Sequence, residues 1–363
     1  MSRVKLGIIG CGGIANGKHM PSLKKLPDVE MVAFCDLIEE RAVAAKEKFG
    51  SKDAKAYTDY RELLKDESID VVYVLTPNRS HADISIDALH AGKHVMCEKP
   101  MAKCAADARR MVEAAKETGR KLTIGYQHRQ KAASQYVKSV VERGDLGDIY
   151  YAKAFAIRRR GTPNWGVFLN EYEQGGGPLI DIGTHSLDLT LYLMNNYRPR
   201  MAVGSVYDKL KHQKETANPF GPWDPDRYDV EESAFGYVVM ENGATIFLET
   251  SWALNTPENT GVRYLVCGTE GGADNYTGQL RINGIRHNRP YLEQPDLTTG
   301  GVAFFDGQET SPTVMEQQTF FDAIAGKGEL VTKPEEAAVV TWILEGIYRS
   351  AETGQPYYFT GRE

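Results

Sequence analysis

Only five cysteines occur in 363 residues, scattered at positions 11, 35, 97, 104 and 267. An odd number without metal-ligand spacing argues against a disulfide framework and a zinc ribbon, and no metal site is expected. Long apolar runs are also missing, since no stretch approaches the ~20 residues that span a bilayer. Positive charge is not in excess. Lysine and arginine number 43 against 49 acids, a formal net charge of -6, so nothing draws the chain to nucleic acid or to an anionic membrane surface. Arg158-Arg159-Arg160 is the tightest basic run, and on a strand its side chains alternate between faces. Residues 1–6 enter a strand pattern with no signal-peptide-like apolar stretch. A reduced, cytoplasmic protein is the expectation.

What is present is ordinary globular composition, 42% hydrophobic and 25% charged, at a length that favours two domains. Short apolar runs at 4–9, 31–35, 71–75, 95–97 and 122–124, with a weaker one at 56–57, read as strands covered on both faces. Helix patterns lie between them at 39–49, from a Thr58 cap to 64, at 81–90 and at 105–118, several stopping at glycine. Repeated β-α-β units imply a parallel, doubly wound sheet. A helix over 131–142 follows, then strand patterns at 149–158, 202–207, 233–240, 244–253, 263–267 and 279–282. Glu241-Asn242-Gly243 is a hairpin signal, and a last helix runs over 334–352. The expected fold is therefore α/β plus α+β. Residues 1–127 form a Rossmann domain, and 128–363 form a substrate-binding and oligomerisation domain with a large, mostly antiparallel sheet.

Gly10-Cys11-Gly12-Gly13-Ile14-Ala15 follows the first strand and fits G-x-G-x-x-A. Gly10 allows the tight turn and Gly12 lets the backbone approach a pyrophosphate. Ala15 lets helix and strand pack closely, and the helix start supplies N–H groups to phosphate. Asp36 ends the second strand, where a carboxylate accepts from both ribose hydroxyls of NAD and repels a 2′-phosphate; alternatively it caps the next helix. NAD is the expected cofactor. Thr76 and Asn78, flanking Pro77, either contact it or simply make a turn. His81 either reaches the same site or caps its helix. Cys97 reads as packing.

Two further segments carry chemistry. Glu98-Lys99-Pro100 follows the 95–97 strand on the ligand-binding edge. Gly175-Gly176-Gly177-Pro178-Leu179-Ile180-Asp181-Ile182-Gly183-Thr184-His185 opens a helix, with Asp188 three residues further on. With the glycine fingerprint, these resemble the Gfo/Idh/MocA family, named for glucose–fructose oxidoreductase and inositol dehydrogenase. The resemblance covers essentially the whole chain. It implies that Lys99 contacts the reacting hydroxyl, that Asp181 and His185 supply the remaining chemistry, and that Glu98 and Lys99 border the cofactor. The residue types agree with those roles. Histidine titrates near neutrality and suits a general base, and an ammonium stabilises a developing alkoxide. A spacing of four puts Asp181 and His185 on one helical face. Tyr126, His128 and Arg129 at the end of the last Rossmann strand are candidate substrate contacts. Trp165 resembles a family tryptophan near the sugar, or is a core residue. Many members carry arginine after it, where this chain has Gly166.

The expected activity is NAD-dependent oxidation of a secondary ring hydroxyl of a sugar, glycoside or cyclic polyol, with C3 of a glycoside the first position to test. Inositol dehydrogenation, redox-assisted glycoside cleavage and a non-catalytic NAD-binding sensor are the alternatives. Both faces of the 234–239 strand are apolar, which predicts a second subunit's sheet packed on one of them, and the resemblance implies a dimer or tetramer through this sheet. The long 207–229 connection either stacks Phe220, Trp223 and Tyr228 on a group beyond the reacting ring or buttresses an interface.

Overall fold

Residues 3–297 and 311–361 are described by a computed structural model. The chain divides into two units, Met1–Gln130 with Gly307–Ala338 and Lys131–Asp306 with Val339–Glu363. The first sheet ends near the expected boundary, but the chain later returns to the first unit. The returning Pro312–Ile324 helix was not anticipated. Its start is written in local sequence, with proline in the first turn and Ser311 as N-cap, whose hydroxyl accepts from the Val314 N–H (3.3 Å). It places Val314, Phe320 and Phe321 in the core beside Met20 and Tyr73.

The first unit is built on β1 (Val4–Ile9), β2 (Val29–Cys35), β3 (Lys55–Tyr57), β4 (Val71–Val74), β5 (His94–Cys97) and β6 (Leu122–Ile124). All pairings are parallel, in the order β3-β2-β1-β4-β5-β6. Every β4 residue is buried, as a strand covered on both faces requires. The Ala105–Thr118 helix stops at Gly119 in the left-handed region (φ 64°). One cap differs from expectation: the Tyr60–Leu64 helix is capped by Asp59, not Thr58. Asp59 is the residue with extended backbone, and its carboxylate accepts from the Arg61 N–H.

In the second unit the strands are β7 (Ile149–Ile157), β8 (Pro199–Tyr207), β9 (Ser233–Met240), β10 (Thr245–Ser251), β11 (Arg263–Gly268), β12 (Gly271–Asp274), β13 (Arg281–Arg286), β14 (Arg289–Glu293) and β15 (Tyr357–Tyr358). They form a nine-stranded sheet, β14-β13-β12-β11-β7-β10-β9-β8-β15. It is antiparallel except where β7 runs parallel to β10. The predicted turn joins β9 to β10, with Gly243 at φ 86°.

One face of this sheet is covered by the Thr184–Met194 helix, every residue of which is buried, and by the Pro334–Thr353 helix. Ile347 of the latter presses against Gly204 and Gly236, where a Cβ would stand only 2.5 and 2.6 Å from its side chain. The Ala132–Glu142 helix, expected to cover the sheet, packs on the Thr184–Met194 helix instead. Gln135 donates to the Tyr192 hydroxyl and Lys138 to the Tyr192 carbonyl. The wholly buried 184–194 segment already occupies the place against the strands.

Candidate active site

The glycine loop closes over the end of β1. Gly10 sits at φ 94°, and a Cβ there would come within 2.5 Å of the Leu75 carbonyl, so only glycine fits. At Gly12 and Gly13 a Cβ would meet nothing within 4 Å. The loop's outer side is therefore open, with its backbone bare to a ligand. Ile14 is exposed and Ala15 fully buried. The helix that follows begins as a π-helical turn, Ala15–His19. Such turns are rare and frequent at functional sites. Asp36 follows β2, and its carboxylate is held by two backbone N–H groups. One oxygen accepts from the Cys11 N–H of the glycine loop and the other from the Ile38 N–H, each at 2.9 Å. The half-buried carboxylate keeps acceptor capacity beyond these two bonds. Leu37 beside it is exposed and offers no cation for a 2′-phosphate. These features fit a nicotinamide dinucleotide.

Thr76 is half-buried and accepts from the Ser80 hydroxyl, and Asn78 is buried. His81 lies beneath this turn. Its ring is fully buried, with one nitrogen 2.8 Å from the Pro100 carbonyl and the other 2.8 Å from the Thr76 carbonyl. Its place ties the Thr76 turn to the segment after Lys99, which is neither a helix cap nor a surface open to a cofactor.

Lys99 is half-buried after β5, and Pro100 follows a cis peptide. Glu98 is buried at 6% exposure, and its carboxylate faces protein partners. One oxygen accepts from Lys18 Nζ (2.8 Å) and lies 2.6 Å from His19 Nε2; the other accepts from the Lys99 backbone N–H (3.0 Å). Burial opposes its charge, but Lys18 and His19 prevail and hold it well below the usual carboxylate range. Lys18 and His19 are the residues that sequence reasoning missed. Their only local signal was a lysine–histidine pair one turn beyond the glycine loop. Burial pushes the Cys97 thiol far up, which agrees with a packing role.

In the second unit, the glycine run of 175–177 has a physical origin that only the fold reveals. Glu231, buried, accepts from the Gly177 N–H (2.9 Å), the Leu179 N–H (3.2 Å) and the Tyr348 hydroxyl (2.8 Å). A Cβ on Gly177 would lie 2.2 Å from the Glu231 carbonyl, and one on Gly176 would lie 2.1 Å from the Tyr348 hydroxyl. This clamp launches a π-helical turn, Leu179–Gly183, which runs directly into the Thr184–Met194 helix. Asp181 and His185 therefore lie on one continuous helical run. Asp181 is half-buried and accepts from Trp252 Nε1 at 3.1 Å. His185 is 9% exposed and Asp188 fully buried.

The softer candidates separate. Arg129 is fully buried and ion-paired with Glu336, and it also donates to the Val331 carbonyl (2.9 Å). That tie anchors the returning segment within the first unit. Tyr126 is buried and His128 half-buried. Trp165 is 51% exposed and stands edge-to-face with Phe220, which is 48% exposed, at 4.8 Å. Trp223 and Tyr228 are instead buried in a cluster with Ile182 and Trp252, which closes to them the alternative of stacking on a ligand. The loop is held by Asn164, donating to the carbonyls of Phe220 and Pro222, and by Asn218, donating to those of Thr162 and Gly221.

Residues 4–126 match the model of an oxidoreductase family with an NAD-binding Rossmann fold, and 138–359 match that family's C-terminal alpha/beta domain. The chain belongs to the Gfo/Idh/MocA oxidoreductase family. It is 34% identical over 353 residues to a D-glucoside 3-dehydrogenase of Escherichia coli, covering 97% of each chain. An inositol 2-dehydrogenase of Salmonella paratyphi B is 37% identical over 145 residues, 40% of this chain and 43% of that one. A solved levoglucosan dehydrogenase in complex with NADH shares the fold at a TM-score of 0.82, with 22% identity over 98% of this chain and 99% of that one. No helix among the described residues is long and apolar enough to cross a membrane.

Proposed function

We propose that this enzyme oxidises a secondary ring hydroxyl of a glycoside, at C3, to the ketone, with NAD as hydride acceptor. The observation that carries the reading is the near full-length similarity to a D-glucoside 3-dehydrogenase. The presence of Lys99, Asp181 and His185 together supports it and disfavours a silent sensor. The bare backbone of Gly12 and Gly13 would hold the pyrophosphate and Asp36 the adenosine ribose, which favours NAD over NADP. Bound there, the nicotinamide supplies the hydride acceptor. Lys99 stabilises alkoxide character on the reacting oxygen and His185 takes its proton. Asp181, steadied by the Trp252 indole, orients the imidazole or a neighbouring substrate hydroxyl. The exposed Trp165 and Phe220 rings suit the apolar face of a sugar or its aglycone. The five cysteines, none of them in a disulfide, suit a reducing cytoplasm.

Reduction of NAD and of NADP with methyl glucoside, free glucose and myo-inositol tests the reading. The glycoside with NAD is expected to be turned over best. His185→Ala and Lys99→Met should each lower kcat by ~10²–10⁴-fold, as loss of a positioned acid–base group does, with NADH still bound. Inositol as the best substrate by far would replace the glycoside reading. Aglycone release without net NADH would make the enzyme a redox-assisted glycosidase.

A further inference from the structure

We infer that Lys18, His19 and Glu98 form a positioning relay behind Lys99: Lys18 and His19 fix Glu98, and Glu98 fixes the backbone of the lysine. The inference rests on the assignment of Lys99 to the reacting hydroxyl. Its basis is convergence. Lys18 Nζ and His19 Nε2 both reach the same oxygen of Glu98, while the other oxygen takes the Lys99 N–H. Successive side chains of an α-helix diverge by about 100°. The π-helical turn at Ala15–His19 winds more slowly, which lets two neighbours aim at one atom.

The histidine's tautomer is set by its other contacts. Gln317 Nε2 lies 3.4 Å from His19 Nδ1 and donates to the His19 carbonyl (3.3 Å). An acceptor Nδ1 leaves the proton on Nε2, where it donates to Glu98. The ring is fully buried, edge-on to Tyr73. Lys18 is held further by the Gln127 side-chain oxygen (3.2 Å) and approaches Glu316 (3.9 Å).

Stability alone does not account for such a group. A buried ion pair rarely outperforms apolar residues of the same volume, whereas losing one partner strands a charge. What the network does supply is direction. It connects the helix that leaves the glycine loop, through one carboxylate, to the peptide N–H of Lys99. A mismatch of about 1 Å at a reacting group can cost ~10²-fold in rate.

The test compares His19→Ala, His19→Gln, Lys18→Met, Lys18→Arg and the isosteric Glu98→Gln in the full-length enzyme. NADH fluorescence titration reports folding and cofactor affinity. Competitive acetylation with acetic anhydride, read by mass spectrometry, reports the reactivity of Lys99 relative to exposed Lys65 without any substrate. Lys18→Met, His19→Ala and Glu98→Gln are expected to change relative Lys99 reactivity at least threefold. They should also lower kcat tenfold or more, with KM and NADH affinity within twofold. His19→Gln keeps a donor at the Nε2 position and Lys18→Arg keeps the cation, so both should recover most of the loss. Unchanged Lys99 reactivity and kcat in folded Glu98→Gln and Lys18→Met would overturn the relay. Full turnover in Lys99→Met would instead defeat the assignment of Lys99, while the acetylation result would still judge the network.

Discussion

His19 and His81 are both fully enclosed, and burial holds each below the ordinary histidine range despite hydrogen bonds that favour the cation. Both therefore take up a proton less readily in the folded enzyme than in the unfolded chain. In the unfolded chain they protonate as pH falls below the ordinary value of 6.5. The unfolded state then binds more protons, so their contribution to stability is intact above pH 6.5 and is lost progressively below it. Each group can supply a slope of up to about 1.4 kcal/mol per pH unit. The melting temperature is expected to fall between pH 7 and pH 5, and His19→Gln should flatten part of that dependence. A fall in Tm identical in the variant would show that His19 titrates alike in the folded and unfolded chain. None of this was visible in sequence, where His81 read as a cofactor contact or a cap and His19 drew no attention. Enclosure, not residue type, sets a histidine's role here.

At the scale of elements, the chain uses glycine where another segment's backbone or hydroxyl comes too close for a side chain. The Gly175–Gly177 run was legible as a family pattern, but its cause lies far off in sequence, in Glu231 and Tyr348. Gly177→Ala would drive a methyl group against the Glu231 carbonyl, a backbone atom that cannot swing away. Overpacking of this kind typically costs ~1–3 kcal/mol. We expect Gly177→Ala to lower the urea midpoint and to reduce kcat by displacing Asp181, with NADH binding in the first unit retained. Wild-type stability and turnover in this variant would mean the turn is slack. The missed Pro312–Ile324 helix teaches the converse. Its cap signal was present, but nothing local says that a helix after the long sheet belongs with the Rossmann core.

For the molecule as a whole, the aromatic face of the nine-stranded sheet decides the outlook. On it Phe247 stands against Tyr151 and Tyr237, Tyr207 against Phe235, and Phe155 against Tyr276. A Lys153–Glu249 ion pair (2.8 Å) sits among them. Phe247, Tyr207 and Val203 are exposed in the single chain. A broad face of aromatic side chains is the kind of patch that a partner covers. We propose that a second copy packs its own sheet there, giving a dimer or tetramer. Sedimentation velocity at micromolar concentration should show that assembly, and Phe247→Glu should release monomer. A monomeric wild-type protein would refute the proposal.

Sequence alone determined that a parallel β-α-β half precedes a mostly antiparallel one. Period, glycine punctuation and the order of β-α-β units are local properties, and short-range sterics and hydrogen bonding suffice to specify them. The same locality made Gly10 and Asp36 readable as candidates, because each sits at the end of the strand that carries it, whereas Lys99, Asp181 and His185 became candidates through the family resemblance. Tertiary structure alone decided which charges are buried. It paired Glu98 with Lys18 and His19, and Arg129 with Glu336, and it turned Trp223 and Tyr228 inward while leaving Trp165 and Phe220 outside. Those outcomes depend on residues up to 207 positions apart meeting where water is largely excluded, and there an unpaired charge or polar group is costly. No window of sequence contains that condition.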